Sequence, residues 1–230
     1  MCGRYSLTQN KETLEKRFNL ELPASWKPRF NIAPTQVVPV ITNKNSKEIS
    51  LFRWGLIPSW SLNESTGSNL INARSETILT KSPFKQIINS HRCLILADGF
   101  YEWQIAGKKR TPYRFTLNTD EAFAFAGLWD SWDNGDDIIN SFTIITTSAN
   151  NLVKEIHERM PVILKKEKES DWLNNSISDK DIQELLKPYN PDRMSCYAAH
   201  RSVNSALTDT SECIMVAPKI YPGETFSLFD

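Results

Sequence analysis

The sequence predicts an α+β domain built on a mostly antiparallel sheet with helices at its periphery. Short β-like segments follow one another directly, at 36–42, 48–54, 92–97, 101–105, 113–117, 122–128 and 141–147. The strand–helix–strand alternation of a parallel sheet is missing. No internal repeat, low-complexity tract or Gly/Ser/Pro linker divides the 230 residues, and 40% hydrophobic content is ample for one core. One domain is therefore expected.

Taken in order, residues 9–19 read as an amphipathic helix in which Leu14 and Phe18 share a face and Thr8 caps the start. The strands follow. Residues 54–60 place Trp54 and Trp60 around a turn containing Gly55 and Pro58. The apolar run Arg92-Cys93-Leu94-Ile95-Leu96 reads as a buried strand, which makes Cys93 an inert core thiol. Asp98-Gly99 then reads as a hairpin turn into the strand carrying Tyr101, Glu102 and Trp103. Further helices are expected near 83–90, 150–157, 167–174 and 179–187.

Lys plus Arg and Asp plus Glu both number 27, so net charge offers polyanions and acidic membranes no long-range attraction. Any nucleic-acid site must be a local patch. The first residues show no basic stretch followed by an apolar one, and no run of about 18 apolar residues occurs, so a soluble, cytoplasmic protein without membrane association is expected. Cys2, Cys93, Cys196 and Cys213 form no CxxC or Cys/His pairing, which argues for reduced thiols and against a structural metal. The absence of GxGxxG, GxxxxGK[ST], GxSxG and HExxH removes the simplest nucleotide, acyl-transfer and metalloprotease readings.

Four features could carry chemistry. His157 lies just before Pro161, at the expected end of a helix, where it either projects into a cleft or satisfies the last helical carbonyls. Glu102 lies between two aromatics on a strand. Facing inward, it would be desolvated and act as a general acid/base; facing outward, it would be an ordinary edge carboxylate. The seven tryptophans are either core or stacking platforms for single-stranded bases. Cys2 follows Met1 directly. Removal of Met1 would place an α-amine and a thiol on one residue, a 1,2-aminothiol that condenses with aldehydes, although any cysteine at position 2 has this potential.

Six ordered blocks of the sequence together resemble the SOS-response-associated peptidase (SRAP) family of abasic-site processing proteins. They are Met1-Cys2-Gly3-Arg4-Tyr5, residues 29–34, residues 54–60, residues 71–77, residues 97–103, and His157-Glu158-Arg159-Met160-Pro161. The resemblance implies a single SRAP domain at 1–217, with a β-barrel-like core and flanking helices, followed by a tail at 218–230. It also implies a positively charged cleft for single-stranded DNA containing an abasic site. In that cleft Cys2 would be the nucleophile and crosslinking residue, Asn72 would hold the opened deoxyribose, Glu102 would transfer protons, and His157 would assist at the sugar. Pro34, Trp60 and Trp103 would pack against flanking bases, and Arg4, Arg74 and Arg159 would meet phosphates. The product would be a covalent thiazolidine link to DNA that shields the lesion. The family name implies a peptidase as well, with self-removal of Met1.

The expected protein is thus a monomeric, DNA-associated, lyase-like enzyme of the DNA-damage (SOS) response that needs no cofactor and no metal. Two other readings stay open. Cys2, Asn72 and His157 would also suffice for an N-terminal-nucleophile amidohydrolase, and the aromatics and arginines for a non-catalytic single-strand-binding module.

Overall fold

Runs of β-branched and aromatic residues dominate the computed structural model, which describes residues 2–218; Met1 and residues 219–230 of the expected tail lie outside the described residues. In chain order the strands are β1 (Tyr5–Leu7), β2 (Arg29–Ile32), β3 (Val37–Thr42), β4 (Ile49–Trp54), β5 (Asn72–Arg74), β6 (Arg92–Ala97) and β7 (Gly99–Ala106). They continue with β8 (Lys109–Leu117), β9 (Phe123–Asp133), β10 (Ile138–Ser148), β11 (Arg159–Pro161) and β12 (Met194–Ala198). The helices are short: α1 (Lys11–Phe18), α2 (Phe84–Ile87), α3 (Asn151–Lys154), α4 (Glu169–Leu173) and α5 (Asp179–Leu185).

Strands β10, β4, β3, β6 and β9 pair in that order, and β9 pairs back onto β10, which closes a five-stranded barrel. Closure removes the exposed edges that an open sheet would present. Both β5 and β11 pair with β10 outside the ring. A second sheet, ordered β12-β8-β7-β1-β2, lies against the barrel. The join is aromatic: the Tyr5 ring meets Trp54 at 5.2 Å and Phe125 at 5.7 Å, edge-on, and Phe100 meets Phe125 at 6.3 Å. One continuous core runs through both layers, and a smaller cluster around Tyr101, Ala199, Val203 and Cys213 covers the other face of the second sheet. The α+β class and the single domain expected from the sequence are what the chain forms. No described helix is long and apolar enough to cross a membrane.

Turn chemistry explains one of the six blocks. Gly55 sits at φ +123, and a Cβ there would lie 2.5 Å from the Gly67 carbonyl oxygen. Only glycine fits both the dihedral and the contact. The Gly55 N–H donates to the Phe142 carbonyl at 2.8 Å, holding the loop after β4 on the barrel.

Two local expectations are corrected. The cap of α1 is Asn10, whose side chain accepts from Thr13 N–H, and not Thr8. Thr8 is drawn away because its N–H and hydroxyl both donate to Asp98 Oδ2. Nor is Asp98-Gly99 a hairpin turn. Strand β6 belongs to the barrel and β7 to the second sheet, so the dipeptide carries the chain between layers, and the true hairpin is β7–β8, turning at Gly107-Lys108. Gly99 is needed for a different reason: a Cβ there would lie 2.7 Å from Arg114 Nε, directly beneath the guanidinium.

Asp98 is the polar centre of this crossover. Its Oδ1 accepts from Ser6 Oγ at 2.7 Å and from Arg114 Nη2 at 2.9 Å, while Oδ2 accepts from Thr8 and from Gln9 N–H at 3.2 Å. Both Asp98 and Arg114 are buried. Removing the carboxylate strands a buried guanidinium and several donors at once, which typically costs 3–5 kcal/mol. Asp98→Ala is therefore expected to lower the unfolding free energy by about 3–5 kcal/mol, read from urea denaturation midpoints at constant m-value.

Candidate active site at the start of the chain

The first residues are built into the second sheet. β1 lies between β2 and β7, with Tyr5 opposite Ile32 on one side and Phe100 on the other, and the Tyr101 N–H extends the ladder to the Arg4 carbonyl at 3.0 Å. Cys2 follows this path inward and is fully buried. Its thiol lies 3.8 Å from the Arg4 carbonyl oxygen. Its own carbonyl accepts from Asn72 Nδ2 at 2.7 Å. Asn72 opens β5, which runs parallel to β10 with Asn72 opposite Ile144, so the barrel wall aims this amide at the chain start. Asn72 Oδ1 is buried and has no hydrogen-bond partner among the described residues.

Glu102 is the carboxylate of the site. Residues opposite one another across a ladder share a face, so Glu102 points to the side of β7 that Phe100 and Tyr5 use, toward the barrel, and is only 3% exposed. The inward alternative left open by the sequence is the one realised. Burial pushes its carboxyl up to about 7. Burial also raises the Cys2 thiol well above the ordinary thiol range, and the Glu102 charge adds to that rise.

His157 lies two residues past the cap of α3, with its N–H on the Val153 carbonyl at 2.9 Å, where the chain turns into β11. Its Nδ1 is 3.0 Å from the Arg159 N–H and 3.2 Å from the Arg159 carbonyl. The backbone N–H can only donate, so Nδ1 accepts and the ring proton sits on Nε2. Desolvation lowers the imidazole pKa, which favours the neutral ring.

Gly3, Arg4, Glu102, Trp103, Arg110 and His157 line a cleft of about 520 Å³. The four residues expected to carry chemistry are thus gathered: Glu102 and His157 on the cleft wall, Cys2 beneath it, and Asn72 bonded to Cys2. A larger hollow of about 640 Å³ lies between α4 and α5, but it holds neither a cysteine nor a histidine and is remote from this chemistry. Among the described residues, no group of three or more His, Cys, Asp or Glu side chains could hold a metal ion.

The residues expected at DNA are less concentrated. Arg4 and Trp103 reach the cleft, with the guanidinium 5.8 Å from the indole centroid. Arg4 Nη1 is engaged by Asn31 Oδ1 at 2.7 Å and the Val203 carbonyl at 2.9 Å, and Trp103 Nε1 donates to Asn204 Oδ1 at 2.7 Å. Arg159 turns to Glu76 and to the Thr146 carbonyl at 2.7 Å, and its hydrogen bond holds the Glu76 carboxyl below the usual range. Neither Arg159 nor Arg74, exposed at the end of β5, lines the cleft. Pro34 is half-buried, next to Thr35 at φ +73. Trp60 is 59% exposed, in a separate hollow with His91 and Trp129.

Sequence reasoning missed Arg110 and Asn204. Arg110 was discoverable once β7–β8 was recognised as the hairpin, since it pairs with Ile105. Asn204 arrives on a 3₁₀ turn (Arg201–Asn204) after β12, and no local signal marks it.

The model of the family "SOS response associated peptidase (SRAP)" matches residues 1–206. The chain is 40% identical over 221 residues to "Abasic site processing protein YoqW" of Bacillus subtilis (strain 168), covering 93% of this chain and 99% of that protein. It is 32% identical to "Abasic site processing protein HMCES" of Gallus gallus, covering 83% of this chain and 66% of that protein. Among solved structures, a Bacteroides thetaiotaomicron protein superposes with a TM-score of 0.86 at 28% identity, over 94% of this chain and 100% of that one.

Glu102 gives the site a measurable electrostatic signature. A carboxyl raised in the folded state from 4.5 to about 7 favours folding at acid pH, and that contribution is lost as pH rises from the unfolded value through the folded one. Glu102→Gln removes the buried charge. It is expected to raise stability at pH 8 by on the order of 2 kcal/mol while adding little at pH 4, read by urea unfolding at both pH values.

Proposed function

The chain belongs to the SOS response associated peptidase family, and from that membership and the Cys2 site we propose that it processes abasic sites in single-stranded DNA by joining Cys2 covalently to the lesion. The observation that carries this reading is the Asn72 amide bonded to the Cys2 carbonyl beside a buried Glu102 on an open cleft. The relatives YoqW and HMCES, both abasic site processing proteins by name, support the choice of substrate.

The reaction begins with a chain whose first residue is Cys2. While Met1 is attached, the Cys2 nitrogen is an amide and forms no imine. Hydrolysis of the Met1–Cys2 bond, by this site or by an aminopeptidase, releases the α-amine. A ring-opened abasic deoxyribose presents an aldehyde at C1′. The Cys2 amine adds to that carbon, Glu102 accepting the amine proton and returning one to the departing hydroxyl, and water leaves as the imine forms. The thiol then adds to the imine carbon, and its proton passes to the nitrogen. The product is a five-membered thiazolidine, with one water released overall. Asn72 Oδ1 accepts from a sugar hydroxyl, and neutral His157 donates from Nε2 to a sugar oxygen. The protein acts as a cytoplasmic monomer in the damage response, with neither metal nor cofactor.

Purified protein lacking Met1, incubated with a single-stranded oligonucleotide carrying one abasic site, is expected to give a heat-stable band shift on denaturing electrophoresis. Cys2→Ala abolishes it, and so does retention of Met1, verified by intact mass. Equal crosslinking by Cys2→Ala would overturn the aminothiol chemistry. Because the carboxyl must be ionised to accept a proton, the crosslinking rate should climb through an inflection near pH 7. Glu102→Gln is expected to slow the reaction about 10²–10⁴-fold and erase that inflection, with undamaged-DNA affinity nearly unchanged.

A further inference from the structure

The β7–β8 hairpin carries Glu102 and Trp103 at its base and projects beyond the cleft. Its far end is exposed continuously from Ile105 to Arg110 and presents three adjacent cations, Lys108, Lys109 and Arg110. Among the described residues no ion pair engages any of them, in contrast to Arg17, Arg29, Arg114 and Arg159. Register adds a second feature. Ile105 pairs with Arg110 and Trp103 with Pro112, so Trp103, Ile105 and Arg110 share one face. Ile105 is 69% exposed, Trp103 is half-buried, and Arg110 reaches back to line the cleft. An aromatic ring, an exposed aliphatic and a row of unpaired cations, continuous with the site, form the kind of surface that holds single-stranded nucleic acid. From Glu102 to Ala106 the strand advances about 13 Å, which puts the cations a few nucleotides from the reacting centre.

We propose that Lys108, Lys109 and Arg110 form a phosphodiester-binding site that holds the single strand on one side of the lesion, with Ile105 and Trp103 as its apolar wall. This rests on the DNA reading above and deepens it by assigning residues that hold the strand flanking the lesion. Charge complementarity favours a polyanion. The opposite charge also exists on this chain, at the exposed β9–β10 turn with Asp133, Asp136 and Asp137, so self-association is the competing occupant.

The test measures anisotropy of fluorescent single-stranded oligonucleotides carrying a tetrahydrofuran abasic analogue, which has no aldehyde, across a salt series. Each neutralised phosphate contributes about 0.7 to the slope of log affinity against log salt. The triple variant K108Q/K109Q/R110Q is expected to flatten that slope by about 2, and K108R/K109R/R110K to restore it. Oligonucleotides truncated close to the lesion on one side should erase the difference between wild type and triple variant; truncation on the other side should keep it. Equal slopes, or a difference insensitive to both truncations, would overturn the proposal. So would a wild-type dimer in sedimentation that the triple variant dissolves. Failure of the parent reading is separable, since wild-type protein would then form no crosslink with authentic abasic DNA.

Discussion

The buried Asp98 carboxylate is the interaction on which the chain start depends. A residue next to a terminus is held from one side only and ordinarily frays. Here β1 has just three residues, too few to fix itself by ladder hydrogen bonds alone. Asp98 binds Ser6, Thr8 and Gln9 together, with Arg114 supplying the countercharge, so the chain is clamped immediately after the segment that must stay in register. Tyr5 completes the clamp by wedging its ring between Trp54 and Phe125. With the strand fixed, Cys2 has a defined place, and Asn72 on the barrel-anchored β5 can meet its carbonyl.

What the sequence revealed follows the range of the forces involved. Arg92–Ala97 was legible because a fully buried strand needs an unbroken apolar run, and the 92–97 bounds coincide with β6. The strands at 141–147 and 122–128 were found but foreshortened, since β9 and β10 extend past the barrel into a more polar hairpin. Strands β1, β2, β5, β11 and β12 were not read as strands. They are three to five residues long and take their conformation from partners far away in sequence, as Tyr5 does from Ile32 and Phe100. Four of these five overlap the blocks that carried the family resemblance, and among the candidate site residues Asn72 stands on one of them, where local propensity is weak. The orientation of Glu102 was undecidable from alternation alone, because both faces of β7 are covered near its start.

Charge shows a similar separation between composition and placement. Equal numbers of acidic and basic residues conceal how many arginines face inward. Arg92 is fully buried and donates to three carbonyls, those of Trp172, Ile88 and Asn174, at 2.6–2.7 Å, with no acidic partner among the described residues. Arg17 is paired with Glu169, Arg29 with Asp209 and Arg114 with Asp98. These guanidiniums tie loops to strands and add little to the outer field. Arg159 is engaged in the same way, its guanidinium held by Glu76 and the Thr146 carbonyl.

Burial places opposite demands on the two groups at the centre of the site. The desolvation that lifts Glu102 into the neutral range, where a proton can be both taken and returned, also holds the Cys2 thiol in its protonated form. A buried thiolate beside an ionised Glu102 would set two like charges in a poorly screened space. On the proposed chemistry this imposes an order. The amine, whose neutral form is the less penalised by burial, attacks first, and its proton passes through Glu102 to the departing hydroxyl, which leaves the carboxylate ionised again when the imine is complete. The like charge still opposes a free thiolate at that stage. Ring closure therefore follows imine formation because only the imine lets the buried thiol pass its proton to nitrogen as sulfur bonds to carbon, without a free thiolate beside Glu102.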